Sequence, residues 1–230
     1  MALGNQGLQT IVFQMDVNGN PFVVHTALLA DEQGAILVDT GIPGQLELIR
    51  GVLEQASLPL AELSTIIITH QDRDHIGSLP ELVDATGGTV QVWAHEVGVP
   101  YLAGEMPLLK SKQLAVPVKV DRALRDGDVL PVAGGLQVVH TPGHTPDHIS
   151  LYHQPSKTLI AGDALTAADG VLRAFDPRHT LDPRTALASI AKLAELDIET
   201  VIAYHGGVVT GGIRERLREL VDTTILTDPA

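Results

Sequence analysis

The chain has 230 residues, 44% of them hydrophobic and 19% charged, which suits one large globular domain over residues 1–230 and excludes a disordered or fibrous chain. A formal net charge of -13 and a pI near 5.0 argue against nucleic acid as a partner, because phosphate binding needs a basic surface. The sequence has no cysteine, so disulfides, thiolate metal sites and a cysteine nucleophile are excluded and any metal must be held by nitrogen and oxygen.

Met1 to Thr10 lacks the basic stretch and apolar core of a secretory signal, and no run approaches the roughly 20 apolar residues that would span a membrane. The expectation is a cytoplasmic protein acting on a small molecule, with neither membrane nor nucleic acid as partner. Apolar runs at Ile11 to Phe13, Phe22 to Ala30 and Ala35 to Val38, punctuated by Asn18-Gly19-Asn20 and Gly34, predict a meander of strands. Gln45 to Ala56 has a helical period, and Thr65 to Thr69 is strand-like. A second helix is expected from Gly77-Ser78 to Gly87-Gly88, then a strand from Val90 to Ala94.

Tyr101 to Val118, with two prolines and two lysines but no period, reads as a long loop or cover segment. The second half repeats the alternation. Strands are expected near Val118 to Leu124, Leu136 to His140, His148 to His153, Thr158 to Ala161 and Thr200 to Tyr204, with helices at Pro183 to Leu196 and Gly212 to Leu220. Grouped strands with interspersed helices suggest an α/β fold, a four-layer αββα sandwich, although the pattern alone also fits three layers.

His70, Asp72, Asp74 and His75 lie within six residues, between an apolar strand and a helix. Imidazole and carboxylate are ligands for zinc, manganese or iron, and an extended loop pointing alternate residues in different directions can serve two ions. His144 sits in a turn stiffened by two prolines and a glycine, Asp163 ends a strand, and His205 ends another with Gly206-Gly207 behind it. All seven fall at the C-terminal ends of strands, the edge where ligands gather in α/β sheets.

These motifs, with Val38-Asp39-Thr40-Gly41, Thr141-Pro142-Gly143-His144, Gly162-Asp163 and His205-Gly206 in order, resemble the metallo-β-lactamase fold superfamily over nearly the whole chain. The resemblance implies two divalent ions, zinc first with manganese or iron as alternatives. One would be held by His70, Asp72 and His144 and the other by Asp74, His75 and His205, with Asp163 bridging. Asp39 would support a ligand from behind. His148 either steadies the turn by a hydrogen bond or merely begins the next strand. The family usually carries His-x-His-x-Asp-His, so Asp72 stands where a histidine is expected, lowering the site's positive charge and favouring harder metals.

The resemblance implies a binuclear hydrolase cleaving a small ester, thioester or lactone through a metal-bridging hydroxide, with Asp74 as ligand and proton carrier. Alternatives are an iron-dependent oxidoreductase of the same fold, favoured by the carboxylate at Asp72, and a β-lactamase, disfavoured by the missing export signal. Substrate contacts are unassigned. Tyr101, Met106, Leu108, Leu172, Arg173 and Phe175 are pocket candidates that could equally be core cover, and Lys110, Lys112, Arg173 and Arg178 could attract an acidic substrate, although scattered loop charges are expected to be solvated. His25, His95, His140, His153 and His179 are given no role.

Overall fold

The computed structural model of the protein describes residues 7–32 and 34–227, the last five of these by their backbone alone. Met1 to Gln6, most of the segment expected to carry no secretory signal, lie outside the described residues. Three strands, β1 (Leu8–Val17), β2 (Asn20–Asp31) and β3 (Gly34–Val38), form the expected meander. Asn18 and Gly19 both have positive φ at its first turn, the geometry that matches strand twist in a two-residue hairpin. Helix α1 (Leu46–Gln55) buries Ile49 and Leu53, and β4 (Leu63–Ile68) then runs parallel to β3.

The loop expected to be extended is instead a single helical turn, α2 (Arg73–Ile76), followed by α3 (Leu79–Ala85). Four residues are too few for periodicity to betray. After β5 (Gln91–His95), the short helix α4 (Val99–Leu102) takes the start of the segment expected to be loop, and the remainder is irregular until β6 (Arg122–Leu124). Tyr101, Leu102, Leu108 and Val118 are buried against the first sheet, so this stretch does serve as cover.

The second half supplies β7 (Val129–Leu130), β8 (Leu136–His140), β9 (Ile149–His153), β10 (Thr158–Gly162), the hairpin β11 (Leu165–Ala168) and β12 (Val171–Ala174), α5 (Pro183–Leu193), β13 (Thr200–Ala203), β14 (Gly207–Thr210) and α6 (Ile213–Thr227). Pro183 opens α5, and Asp182 caps it by accepting the Thr185 amide at 3.0 Å. Its buried residues Ala186, Ile190 and Leu193 fall on one face at helical spacing. Among the described residues no helix is long and apolar enough to cross a membrane.

The first half builds one six-stranded sheet, ordered β1-β2-β3-β4-β5-β6, and the second half another, ordered β14-β13-β10-β9-β8-β7. Period-two alternation along each strand sorts the apolar residues into three cores. Ile66 and Ile68 face the helices of the first half, while Ile67 between them meets Ile160 and Ile202 of the other sheet. Leu159, Val201 and Ala203 turn instead toward α5 and α6. Three apolar layers require four structural ones, so the αββα sandwich holds and the three-layer alternative does not.

Candidate metal centre

The centre begins where β3 and β4 end side by side. Asp39, buried and held at a φ of 55°, accepts the Thr69 amide at Oδ1 (2.8 Å) and the Thr69 hydroxyl at Oδ2 (2.8 Å). Its Oδ2 also accepts the Nδ1 proton of His75 at 2.9 Å. Because the Thr69 hydroxyl proton is committed to Asp39, its oxygen accepts from His70 Nδ1 at 3.0 Å. Both rings therefore carry their proton on Nδ1 and turn Nε2 inward, the fixed tautomer a ligand histidine needs. Tyr204 stacks on His75 at 3.8 Å, and its hydroxyl donates to the Asp74 carbonyl, holding α2 in place.

His148 is fully buried, with a hydrogen bond at each ring nitrogen. Its Nε2 accepts the Asp163 amide at 2.9 Å, so its proton is on Nδ1 and is donated to Thr141 Oγ1 at 2.8 Å. Thr141 in turn meets Ser150, which donates to the Ala161 carbonyl at 3.0 Å. Burial first, then the neighbouring His70 and His144, push the His148 pKa well below its ordinary value, which keeps the ring neutral. Gly162 adopts a φ of 53°, and a Cβ there would lie 2.6 Å from His148 Nε2. A Cβ on Gly206, at φ 112°, would overlap the Ala167 carbonyl, so the chain can turn behind His205 only with glycine there.

These supports bring all seven expected residues together. His70, His144 and Asp163 each offer a ligand atom within 4.8 Å of the others, and so do Asp74, His75 and His205. Asp163 lies between the sets, with Oδ1 3.4 Å from His75 Nε2 and Oδ2 3.2 Å from His144 and 3.5 Å from His205. Asp72 Oδ2 is 3.2 Å from His70 and 2.9 Å from His144. Asp72 stands at the N-cap of α2 yet makes no cap hydrogen bond, because its carboxylate turns into the cluster.

Burial would raise the pKa of Asp163, Asp74 and Asp72, but the surrounding histidines, and Lys110 for Asp72, hold all three carboxylates below the usual range. Burial likewise pulls His205 down, and contact with Asp163 and Asp74 overrides it and raises its pKa to about 9. A site that raises a histidine this way is one that favours positive charge. His70 Nε2, His75 Nε2 and Asp163 Oδ1 are buried without a hydrogen-bond partner; with its proton on Nδ1, His75 has none on Nε2 to give Asp163 Oδ1, 3.4 Å away. Orphaned buried lone pairs are costly, and nitrogen and oxygen donors converging in this way fit a divalent cation.

The cluster floors a cavity of about 560 Å³, walled by Phe22, Leu108, Lys110, Thr166, Asp176 and His179. Of the pocket candidates only Leu108 lines it. Tyr101, Leu172 and Phe175 belong to the cores, Met106 is exposed, and Arg173 lies elsewhere on β12. His179, given no role from sequence, is on the wall. Lys110, expected to be solvated, instead reaches inward to Asp72 at 2.5 Å and His144 at 2.6 Å. Gln71 was also missed. Buried between two ligand candidates, it donates to Asp147 at 3.0 Å and accepts the Leu109 amide at 2.7 Å, tying the Lys110 loop to the His144 turn.

An αββα sandwich that gathers histidines and carboxylates at one end of both sheets defines a metallo-hydrolase class of protein, and similarity to known proteins says which. A family model described as the metallo-beta-lactamase superfamily matches residues 19–205. A probable metallo-hydrolase of Bacillus subtilis (strain 168) is 30% identical over 225 residues, spanning 85% of this chain and 84% of that protein. A hydroxyacylglutathione hydrolase of Haemophilus influenzae is 30% identical over 195 residues, spanning 81% of this chain and 86% of that one. Among solved structures, a metallo-beta-lactamase family protein from Thermus thermophilus matches with a TM-score of 0.73 at 25% identity, over 96% of this chain and 80% of that chain. The chain belongs to the metallo-β-lactamase superfamily, whose members bind divalent metals.

Proposed function

We propose that the protein is a binuclear metal-dependent hydrolase of a small ester, thioester or lactone. The observation that carries this reading is the convergence of two donor sets around Asp163, with His70 Nε2, His75 Nε2 and Asp163 Oδ1 buried and unpaired. His70, Asp72 and His144 would hold one ion, Asp74, His75 and His205 the other, and Asp163 would reach both. Two divalent ions, zinc first and manganese or iron as alternatives, would polarise a carbonyl and acidify a water molecule.

The chain's own groups would do the rest. Asp39 and Thr69 keep the protons of His75 and His70 on Nδ1, away from the cavity. Asp74 would use its second carboxylate oxygen to carry a proton to the leaving oxygen or sulfur. The cavity suits a small molecule, with Phe22 edge-on to His205 at 5.8 Å as an apolar wall beside the polar floor. A thioester is supported by the similarity to a hydroxyacylglutathione hydrolase.

The test is a panel of lactones, esters and thioesters offered to metal-stripped and reloaded protein. Hydrolysis that vanishes on stripping, returns on reloading and is absent in Asp74→Ala is the expected result. Turnover that survives stripping, or that persists in Asp74→Ala, would contradict the reading.

A further inference from the structure

Lys110 sits at the tip of a short loop fixed on both sides. Leu108, buried in the core, pairs its amide with the Gln113 carbonyl at 2.8 Å and accepts the Lys112 amide at 2.9 Å. The Leu109 amide is held by Gln71 at 2.7 Å. The side chain is only 24% exposed, and its Nζ lies 2.5 Å from Asp72 Oδ2 and 2.6 Å from His144 Nε2. The ammonium is in direct contact with both groups, and its hydrogen bond to the carboxylate is charge-assisted. These contacts engage two of the three atoms expected to hold the first ion.

Ligand bonds to zinc are about 2.0–2.2 Å long, so an ion bound by Asp72 and His144 would lie against this ammonium, and two cations cannot share that space. The other position has no such rival. Among the described residues, the ion pairs of Asp74, His75 and His205 are with one another and with Asp39 and Asp163, never with lysine or arginine. Asp72 also explains why a lysine is tolerated here, since a neutral histidine in its place would leave the ammonium without its carboxylate.

We propose that Lys110 is an internal competitor for the first metal position, so that the two positions load unequally. The Asp74, His75 and His205 position fills first. The His70, Asp72 and His144 position fills second and more weakly, because the incoming ion must displace Lys110 from Asp72 and His144. This rests on the reading of the centre as a two-metal site. Lys110 is thus a positioning residue, and its effect is read in metal affinity before any turnover is measured.

The experiment is titration of the metal-stripped full chain with zinc and with manganese at one fixed pH, by calorimetry and by competition with a chromophoric chelator. Wild type, Lys110→Met and Lys110→Arg are compared, with His205→Ala and His144→Ala assigning the two equivalents. The wild type is expected to bind one equivalent tightly and a second about ten- to a hundredfold more weakly, the span of a charge-assisted hydrogen bond. Lys110→Met should tighten the second equivalent toward the first, while Lys110→Arg should keep it weak. His205→Ala should remove the tight equivalent and His144→Ala the weak one. Two equal constants in the wild type, or a second equivalent unchanged or weakened in Lys110→Met, would overturn the inference and leave the two-metal reading standing. A wild type that binds neither ion would sink both.

Discussion

Asp39 Oδ2 accepts the Nδ1 proton of His75 at 2.9 Å, and through this one contact the end of β3 sets which nitrogen of a histidine on α2 faces the centre. The same carboxylate closes β4 by accepting the amide and the hydroxyl protons of Thr69, so fold and site share a residue.

Asp39→Ala should therefore cost both. It leaves the Thr69 amide and the His75 Nδ1 proton buried and unpaired, and each buried donor left unsatisfied costs about 1–3 kcal/mol. Metal affinity should fall about 10- to 100-fold, the usual effect of losing a group that orients a ligand. Urea unfolding and chelator competition measure the two losses. Unchanged affinity in a folded variant would show that His75 does not need this orientation.

Glycine substitutions separate constraint from mere presence. Gly162→Ala places a methyl 2.6 Å from His148 Nε2 at a positive φ, so it should destabilise by about 1–3 kcal/mol and displace the Asp163 amide. Gly51→Ala, inside α1 with nothing within 4 Å of the added methyl, should stabilise by about 0.5–1 kcal/mol. Thermal melts of the two variants should move in opposite directions.

The pH response should reverse on metal loading. In the metal-free protein the His205 pKa is raised from 6.5 to about 9, burial being outweighed by Asp163 and Asp74. A raised pKa stabilises the fold fully below 6.5, and that contribution is lost as pH rises through about 9. Metal takes the deprotonated ring, so metal binding near pH 7.5 should release protons and tighten as pH rises. Calorimetry in buffers of different ionisation enthalpy counts the protons. A release of none would contradict the assignment of His205.

Asp72→His should move metal preference toward zinc, because the change removes a hard carboxylate oxygen and supplies imidazole. Competitive loading with equimolar zinc and manganese, read by elemental analysis, gives the ratio. An identical ratio in both proteins would refute the role given to Asp72.

The strands and the candidate ligands are legible in the sequence because both are written locally. Alternation marks strands, and each ligand candidate follows an apolar run. What it concealed is either too short or too distant in sequence. β7 has only two residues, β14 opens on a glycine, and α2 spans one turn. The β11–β12 hairpin does carry a local signal, Asp169-Gly170, whose two positive φ angles make the tight turn. Lys110 meets Asp72 across 38 residues and His144 across 34, a relation no spacing announces, so a lysine on an irregular segment read as a solvated one. Gln71 gave no sign beyond lying between two ligand candidates.

The most direct test of the account is elemental analysis of the purified protein after reloading, comparing wild type with Asp163→Ala prepared in parallel. The account predicts about two equivalents of divalent metal per chain in the wild type and a clear fall in the variant, because Asp163 stands between both donor sets. No bound metal in the wild type, or the same content in both proteins, would contradict it.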